Sequence, residues 1–327
     1  MRRREFILLL GGAVSMWPLA TRAQPASKMP VVGFLNSASA DLYAKFVGEF
    51  RRGLNEMGFV EGQNVTVEYR WANGHYDRLP ELAADLVNRP VAVVAATSTP
   101  AALAAHAATR KIPIVFTTGS DPVSLGLVAN LARPGGNITG TSQLNMELGP
   151  KRVELMHQLL PMATTIAIAV NPANPAVAEV QTRDAQEAAR SLGLQLQILE
   201  ASTEEEFEKA VATLPQHTGL IIAAGDSFFL SATTRFAAIT VRHRVPAIAT
   251  GRDFTAAGGL LSYGGSVADS YHLAGIYTGR ILTGEKPGDL PILRSSKVET
   301  YINLKAAGEL GVTVPQGLVI AADEVFE

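Results

Sequence analysis

The chain has 327 residues, of which 47% are apolar and 18% are charged, and it contains no cysteine. With 28 basic and 30 acidic residues its formal net charge is −2, so it lacks the basic excess that neutralises nucleic-acid phosphates. Without cysteine there is no disulfide framework and no lipid-anchored cysteine, and the length predicts two lobes rather than one hydrophobic core.

Residues 1–23 have the pattern of a cleavable signal peptide. Three arginines at positions 2–4 precede an apolar stretch, and Ala23 supplies the small residue at the expected cut. The stretch is shorter than the ~20 residues of a spanning helix, and Pro18 interrupts it. The run at 3–7 resembles the twin-arginine export motif, and an ordinary secretory signal is the alternative. Both interpretations predict a periplasmic protein with no membrane span after cleavage.

Two series of short apolar runs alternate with amphipathic segments in the rest of the chain. The first series predicts strands near 31–35, 64–70, 91–95, 114–117 and 138–141, and helices near 42–57, 78–88, 100–110 and 123–131. The second predicts helices near 147–160, 176–192, 204–214 and 229–243, and strands near 165–170, 194–199, 219–223, 246–249 and 260–263. A helix near 268–283 and a strand near 298–303 follow.

The two series repeat one another. Twenty-two positions separate Asn36 from Gly58, and 22 also separate Asn171 from Gly193. A repeat of this length, built from alternating strands and helices, predicts an α/β fold with two similar doubly wound parallel-sheet lobes. We expect lobe one at 30–142 plus about 266–285, lobe two at 146–262 with 298–327 as an open assignment, and the hinge near 142–146 and 260–265.

Hydroxyl side chains follow one strand of lobe one, where an open parallel sheet binds its ligands. The triplet Thr97-Ser98-Thr99 ends this strand and begins a helix, with Thr99 predicted at the N-cap and Pro100 at the first helical position. Free N–H groups and hydroxyls at a helix N-terminus suit a carboxylate. The alternative is that the hydroxyls only cap the helix.

Two neighbouring loops complete the predicted lobe-one surface. Thr118 and Gly119 follow the next strand and are placed to hydrogen-bond the same ligand. Asn36, Ser37 and Ser39 follow the first strand, where a short polar side chain faces the cleft or closes a turn.

Lobe two has acidic and amide side chains at the matching positions. The candidates are Asn171, Asn174, Asp226, Ser227 and Asp253, with Asn145 at the hinge and Tyr263 beside it. An acidic group opposite the hydroxyl triplet suits a zwitterion, with its ammonium on lobe two and its carboxylate on lobe one. Asp226 is the first choice for the ammonium and Asp253 the second, and capping is the alternative for each. Tyr76, Tyr263, Phe228 and Phe229 are candidates for an apolar wall, although the two phenylalanines also suit the core.

Motifs for catalysis are weak, and we expect a binding protein that needs no metal or cofactor. The sequence has no Gly-x-Gly-x-x-Gly after the first strand and no Walker motif, and its six histidines lack metal-ligand spacing. Gly225-Asp226-Ser227 with the run 269–272 resembles two blocks of GDS-type esterases. In those enzymes the serine block opens the domain, whereas here it ends a strand late in the chain.

The chain resembles the substrate-binding proteins of ABC importers, in particular the group with tryptophan- and tyrosine-binding lipoproteins. The resembling segments are 31–36, 53–64, 77–83, 97–100, 121–123, 132–140, 258–264 and 302–305. The resemblance implies a type I periplasmic-binding fold with three crossings between lobes and hinge closure on a small solute. By the same likeness Thr97, Ser98, Thr99, Thr118 and Gly119 hold the ligand's polar end.

The expected function is therefore that of a periplasmic solute receptor for an ABC importer. Its ligand would be a small carboxylate such as an aromatic or branched amino acid, and its partners would be permease subunits at the inner membrane. We expect a monomer. The alternatives are a ligand-sensing co-receptor for a membrane kinase or chemoreceptor and, less favoured, a GDS-type esterase.

Overall fold

The computed structural model describes residues 29–215, 217–295 and 297–327, and the predicted signal peptide lies outside them. The first elements are β1 (Val31–Asn36), α1 (Ala40–Glu56), β2 (Thr66–Trp71), α2 (Leu79–Val87), β3 (Val93–Ala96), α3 (Thr99–Ala108), β4 (Ile114–Thr118) and β5 (Ile138–Ser142). Next come α4 (Gly149–Leu159), β6 (Thr165–Val170), α5 (Pro175–Ser191), β7 (Gln195–Glu200), α6 (Glu204–Ala212), β8 (Gly219–Ile222), α7 (Ser227–Ser231), α8 (Thr233–Arg242), β9 (Ala247–Ala249), α9 (Arg252–Ala256) and β10 (Leu261–Gly265). The last are α10 (Val267–Leu282), β11 (Leu293–Arg294), β12 (Val298–Asn303), α11 (Leu304–Leu310), α12 (Gln316–Ala321) and β13 (Glu324–Phe326).

These elements form two α/β lobes, each built around one sheet, which confirms the predicted fold class. The first sheet has the order β11-β5-β4-β3-β1-β2, and all its strand pairs are parallel. The second has the order β13-β12-β10-β9-β8-β6-β7, with one antiparallel pair between β10 and β12. The central strands are buried on both faces, as strands covered by helices on each side must be.

The repeat in the sequence corresponds to the same helix ending in both lobes. Gly58 follows α1 with φ +83°, and Gly193 follows α5 with φ +71°. The next residue in each case bonds back into the helix, from Phe59 N–H to the Leu54 carbonyl (3.1 Å) and from Leu194 N–H to the Ala189 carbonyl (2.8 Å). A left-handed residue at this position favours glycine because it has no Cβ to strain.

The chain passes between the lobes three times: after β5, after β10 and between β11 and β12. After the second crossing, α10 packs on α1 of lobe one at very short range. A Cβ at Gly53 would lie 2.0 Å from the His272 carbonyl oxygen, and one at Gly275 would lie 2.1 Å from that of Phe50. The two glycines therefore allow the backbones of these helices to touch.

Two predicted helices differ in the structure. The segment at 123–131 consists of turns, in which the Asp121 carboxylate accepts from the N–H groups of Val123 and Ser124. Gly126 then takes φ +69°, a left-handed conformation that stops a helix from continuing. The segment at 229–243 is divided at Ala232 into α7 and α8. Among the described residues, we find no helix with both the length and the apolar character to cross a membrane.

Candidate ligand-binding site

The loops at the carboxyl ends of the strands in both sheets face each other across a cleft. A cavity of about 40 Å³ lies between them. Its walls include the loops after β3, β4 and β5 of lobe one and after β8 and β9 of lobe two. Because the lobes already touch around this cavity, a larger ligand enters only when they separate.

The N-terminus of α3 forms one polar wall of the cavity. Its N-cap is Ser98 rather than Thr99, because Ser98 has an extended backbone and its Oγ accepts from the Ala101 N–H (3.3 Å). Thr99 is the first helical residue and Pro100 the second, and the Thr99 hydroxyl bonds that of Thr118 (2.7 Å). These hydroxyls therefore fix the loop as well as line the cavity.

Three backbone N–H groups at this wall have no hydrogen-bond partner within the described part of the chain. They belong to Ser98, Thr99 and Gly119, and all three residues line the cavity. Unpaired buried N–H groups are rare because water or an anion normally satisfies them. At the positive end of a helix dipole, they suit the carboxylate of a ligand.

Asp226 forms the opposing wall and is only 2% exposed. Its carboxylate accepts from the side-chain amides of Asn174 (2.8 Å) and Asn171 (3.2 Å). It also accepts from the Phe228 N–H (2.9 Å), so Asp226 caps α7 as the alternative interpretation expected. Burial raises the pKa of Asp226 above its ordinary value, and the hydrogen bonds from both amides act in the opposite direction. Among the described residues no Lys, Arg or His pairs with it, so the site has a buried anion without a cation.

Contacts between the lobes surround this pair of walls. The Ser37 hydroxyl of lobe one bonds that of Ser227 in lobe two, and the Tyr76 hydroxyl lies 3.3 Å from Ser227 Oγ and 3.4 Å from each Asp226 oxygen. A Cβ at Gly119 would lie 2.8 Å from the Cα of Gly225, so the two backbones are nearly in contact. The structure therefore has a closed cleft.

Asn36 supports the loop from behind the cavity. Its side-chain NH₂ donates to the Thr97 carbonyl (2.9 Å), the Thr97 hydroxyl (2.8 Å) and the Tyr271 hydroxyl (2.9 Å). Its side-chain oxygen accepts from the Ala38 N–H (2.7 Å). Asn36 is fully buried and is not among the cavity-lining residues, so its side chain positions Thr97 from behind the wall.

The remaining predicted site residues do not all line the cavity. Asp253 lies outside the cavity with a side chain 44% exposed, where it pairs with Lys45 of lobe one. Ser39 and Asn171 line a separate pocket at the mouth of the cleft. Asn145 lines the cavity, but its amide is bonded to the backbone of Gly265 (2.8 and 3.3 Å).

Arg152 on α4 holds the hinge and was not predicted from the sequence. It is fully buried and donates to the carbonyls of Tyr263 and Asn145, both at 2.8 Å. Burial lowers the pKa of Arg152 to about 10. Tyr263, a candidate for the cavity wall, is not among the residues that line the cavity; it packs against the core of lobe two and its carbonyl accepts from Arg152 at the hinge.

Aromatic and aliphatic side chains from both lobes form the rest of the cavity. Phe229, for which the core and the cavity wall were both considered, belongs to the core of lobe two and also lines the cavity. The other ring-bearing wall residues were not predicted: Tyr43, Phe236, Phe254 and Tyr271. The sequence signal for Tyr43 is only its place on the apolar face of α1, which it shares with Phe46 and Phe50. That pattern indicates burial and does not separate core from cavity.

Comparison with known proteins agrees with this architecture. The family model described as "ABC transporter substrate binding protein" matches residues 29–326. The chain belongs to this family. A relative named as a tyrosine-binding protein, from Clostridioides difficile, is 27% identical over 255 residues, which is 78% of this chain and 73% of the relative.

Solved structures of similar proteins cover 91% of this family member. A conserved domain protein from Vibrio cholerae matches over its whole length with 26% identity and a TM-score of 0.81. An ABC domain from Streptococcus pneumoniae in complex with L-Trp matches over 99% of its length, with 24% identity and a TM-score of 0.80. The ligand-free, open structure of a Clostridium difficile substrate-binding protein, also 99% covered and 25% identical, has a TM-score of 0.64.

The structure separates the residues of the esterase-like motif. Ser227 Oγ bonds the hydroxyls of Ser37 and Tyr76. His272 lies on α10, where its ring accepts from Arg52 Nε (3.1 Å) and its other nitrogen is 3.2 Å from a Glu56 oxygen. Serine and histidine therefore do not form a hydrogen-bonded pair, which nucleophilic catalysis by such a serine requires.

Proposed function

We propose that this substrate-binding protein is a periplasmic receptor that clamps an amino acid with an aromatic or branched side chain and delivers it to an ABC permease. The observation that carries the proposal is the buried Asp226 carboxylate, which has no cation partner among the described residues and faces a helix terminus with free N–H groups. An isolated buried charge is costly unless it is paired. A ligand ammonium supplies that pair.

The two polar walls match the two charges of a zwitterion. The carboxylate of the ligand accepts from the N–H groups of Ser98, Thr99 and Gly119, and its ammonium donates to Asp226. Charge-assisted bonds in a desolvated cleft are about twice as strong as neutral ones. A micromolar affinity corresponds to about 8 kcal/mol, which several such bonds and an apolar side-chain pocket can supply.

The same arrangement couples binding to closure. Asp226 belongs to lobe two and the α3 terminus to lobe one, so a ligand that bonds both is held fully only when the lobes meet. Contacts made in one state alone shift the equilibrium toward it. The relative named for tyrosine and the structure holding L-Trp support an aromatic amino acid as the ligand.

Calorimetric titration with three matched compounds tests the proposal. We expect L-tyrosine to bind, and we expect tyramine, which lacks the carboxylate, and 3-(4-hydroxyphenyl)propionate, which lacks the ammonium, to bind at least about 100-fold more weakly. Equal binding of either analogue would contradict recognition of a zwitterion.

Two lobe-two variants locate the ammonium site. Asp226→Asn should weaken L-tyrosine binding at least about tenfold while the empty protein keeps its melting temperature, because the substitution removes a buried unpaired charge. Asp253→Asn is the control, since Asp253 lies outside the cavity, and it should change the affinity less than about threefold. If Asp253→Asn lost more affinity than Asp226→Asn, the ammonium site would instead be at Asp253.

We also propose that residues 1–23 direct export, by the twin-arginine route. Replacement of both Arg3 and Arg4 by lysine should then retain the protein in the cytoplasm, as measured by cell fractionation. Continued export would indicate the general secretory route.

A further inference from the structure

Three tyrosines lie in or beside the cavity, and they differ in what their hydroxyls contact. The Tyr271 hydroxyl donates to the Thr97 carbonyl (2.6 Å) and accepts from Asn36 (2.9 Å). The Tyr76 hydroxyl lies 3.4 Å from the Asp226 oxygens. In the described residues the hydroxyl of Tyr43 has no hydrogen-bond partner, although Tyr43 is only 2% exposed and lines the cavity.

The ring of Tyr43 is held in place by its neighbours. It packs against the rings of Phe46 and Tyr271, with centroids 5.3 and 6.1 Å away. Phe229 and Phe254 of lobe two line the same cavity. The cavity therefore has aromatic walls from both lobes, and the Tyr43 hydroxyl is a polar atom in the wall of lobe one.

We propose that Tyr43 is a specificity-determining residue whose hydroxyl hydrogen-bonds the polar atom of the ligand's aromatic ring, so that the cleft prefers tyrosine or tryptophan over phenylalanine. This inference rests on the proposed function. A hydroxyl that lines a cleft can hydrogen-bond water while no ligand is bound. A ring O–H or N–H replaces that water, whereas an all-carbon ring displaces it and leaves a buried hydroxyl unpaired.

Titration of wild type and Tyr43→Phe with L-tyrosine, L-tryptophan and L-phenylalanine tests this assignment. Wild type should bind tyrosine or tryptophan about tenfold or more tightly than phenylalanine. The variant should lose most of that preference because the affinity for the polar-ringed ligand falls and that for phenylalanine does not. A wild type without the preference, an equal loss for all three ligands, or a preference that survives in the variant would each overturn the inference.

Thermal unfolding supplies the structural control. Because the Tyr43 hydroxyl has no partner among the described residues, Tyr43→Phe should leave the melting temperature of the empty protein unchanged or higher. Tyr277→Phe is the matched variant: this hydroxyl donates to the Pro291 carbonyl (2.7 Å), so its removal should lower the melting temperature without changing ligand preference. A lower melting temperature in Tyr43→Phe would show that the hydroxyl is bonded within the protein and would overturn the inference.

The two proposals fail in different ways. A wild type that binds none of the three amino acids contradicts the proposed function itself. Binding without a preference that depends on Tyr43 contradicts only this inference.

Discussion

Asp226 determines how the site should respond to pH. Burial raises its pKa above the ordinary 3.8, so the folded protein takes up a proton at a higher pH than the unfolded chain does. Stability of the empty protein should therefore increase as the pH falls from the raised pKa toward about 4, and decrease as the pH rises through that pKa. A neutral carboxyl no longer pairs with an ammonium, so ligand affinity should decrease as the pH falls, while the stability of the empty protein increases.

We expect the affinity for L-tyrosine to fall as the pH is lowered from neutral toward about 4, the ordinary pKa of an aspartate, as measured by calorimetry. The Asp226→Asn variant should show a weaker, nearly flat dependence because its amide does not titrate. An equal pH dependence in variant and wild type would assign the effect to another group.

At the residue scale, the sequence locates the strand-end loops but not the roles of all their side chains. The location of Asp226 and Ser98 beside the cavity follows from position alone, since a short polar residue after a strand in an open sheet faces the ligand cleft. Asn36 stands in an equivalent position, but its amide is used by Thr97 and Tyr271. Tyr271 lies 235 positions further along, and such a distant partner leaves no local signal.

The α1–α10 pair joins a helix from the start of the chain to one that returns after the second crossing. Gly53→Ala should lower the melting temperature, because the new Cβ would lie 2.0 Å from the His272 carbonyl and force the helices apart. Such overpacking costs about 1–3 kcal/mol. Gly48→Ala on the same helix is the control.

A Cβ at Gly48 meets nothing within 4 Å, and alanine favours helices, so Gly48→Ala should leave the melting temperature unchanged or raise it. Equal effects of the two substitutions would contradict the close packing of α1 on α10.

At the element scale, buried apolar runs predict the central strands well, because they are covered on both faces. The predicted helix at 123–131 fails because the signals against it are short-range. Asp121 bonds the next N–H groups and Gly126 adopts a left-handed conformation, so the chain forms turns. The family resemblance implied three crossings between the lobes, but the strand β11 before the third crossing was not predicted, since a two-residue strand has no periodic pattern to detect.

At the scale of the whole molecule, the approach of Gly119 and Gly225 sets how far the lobes close. Gly119 has a backbone that alanine can adopt, so Gly119→Ala meets only the opposite lobe, at 2.8 Å from the Gly225 Cα. We expect weaker L-tyrosine binding, by about tenfold or more, because a cleft that closes incompletely loses contacts to one wall. Small-angle scattering should show less compaction by ligand than in wild type. A variant that binds L-tyrosine and compacts like wild type would show that the contact between Gly119 and Gly225 does not limit closure of the lobes.

The two-lobe architecture was predictable because each lobe repeats the same order of strands and helices, and the repeat survives in the glycines that end α1 and α5. The contacts between lobes were not, since they depend on the hinge geometry. That geometry rests on buried groups such as Arg152, whose partners are backbone carbonyls on two different crossings.

A crystal structure of the protein with L-tyrosine tests the central claim most directly. We predict a closed cleft, with the ligand's ammonium in hydrogen-bond contact with the Asp226 carboxylate and its carboxylate on the N–H groups of Ser98, Thr99 and Gly119. A ligand bound outside the cavity, or one with its ammonium away from Asp226, would contradict the account.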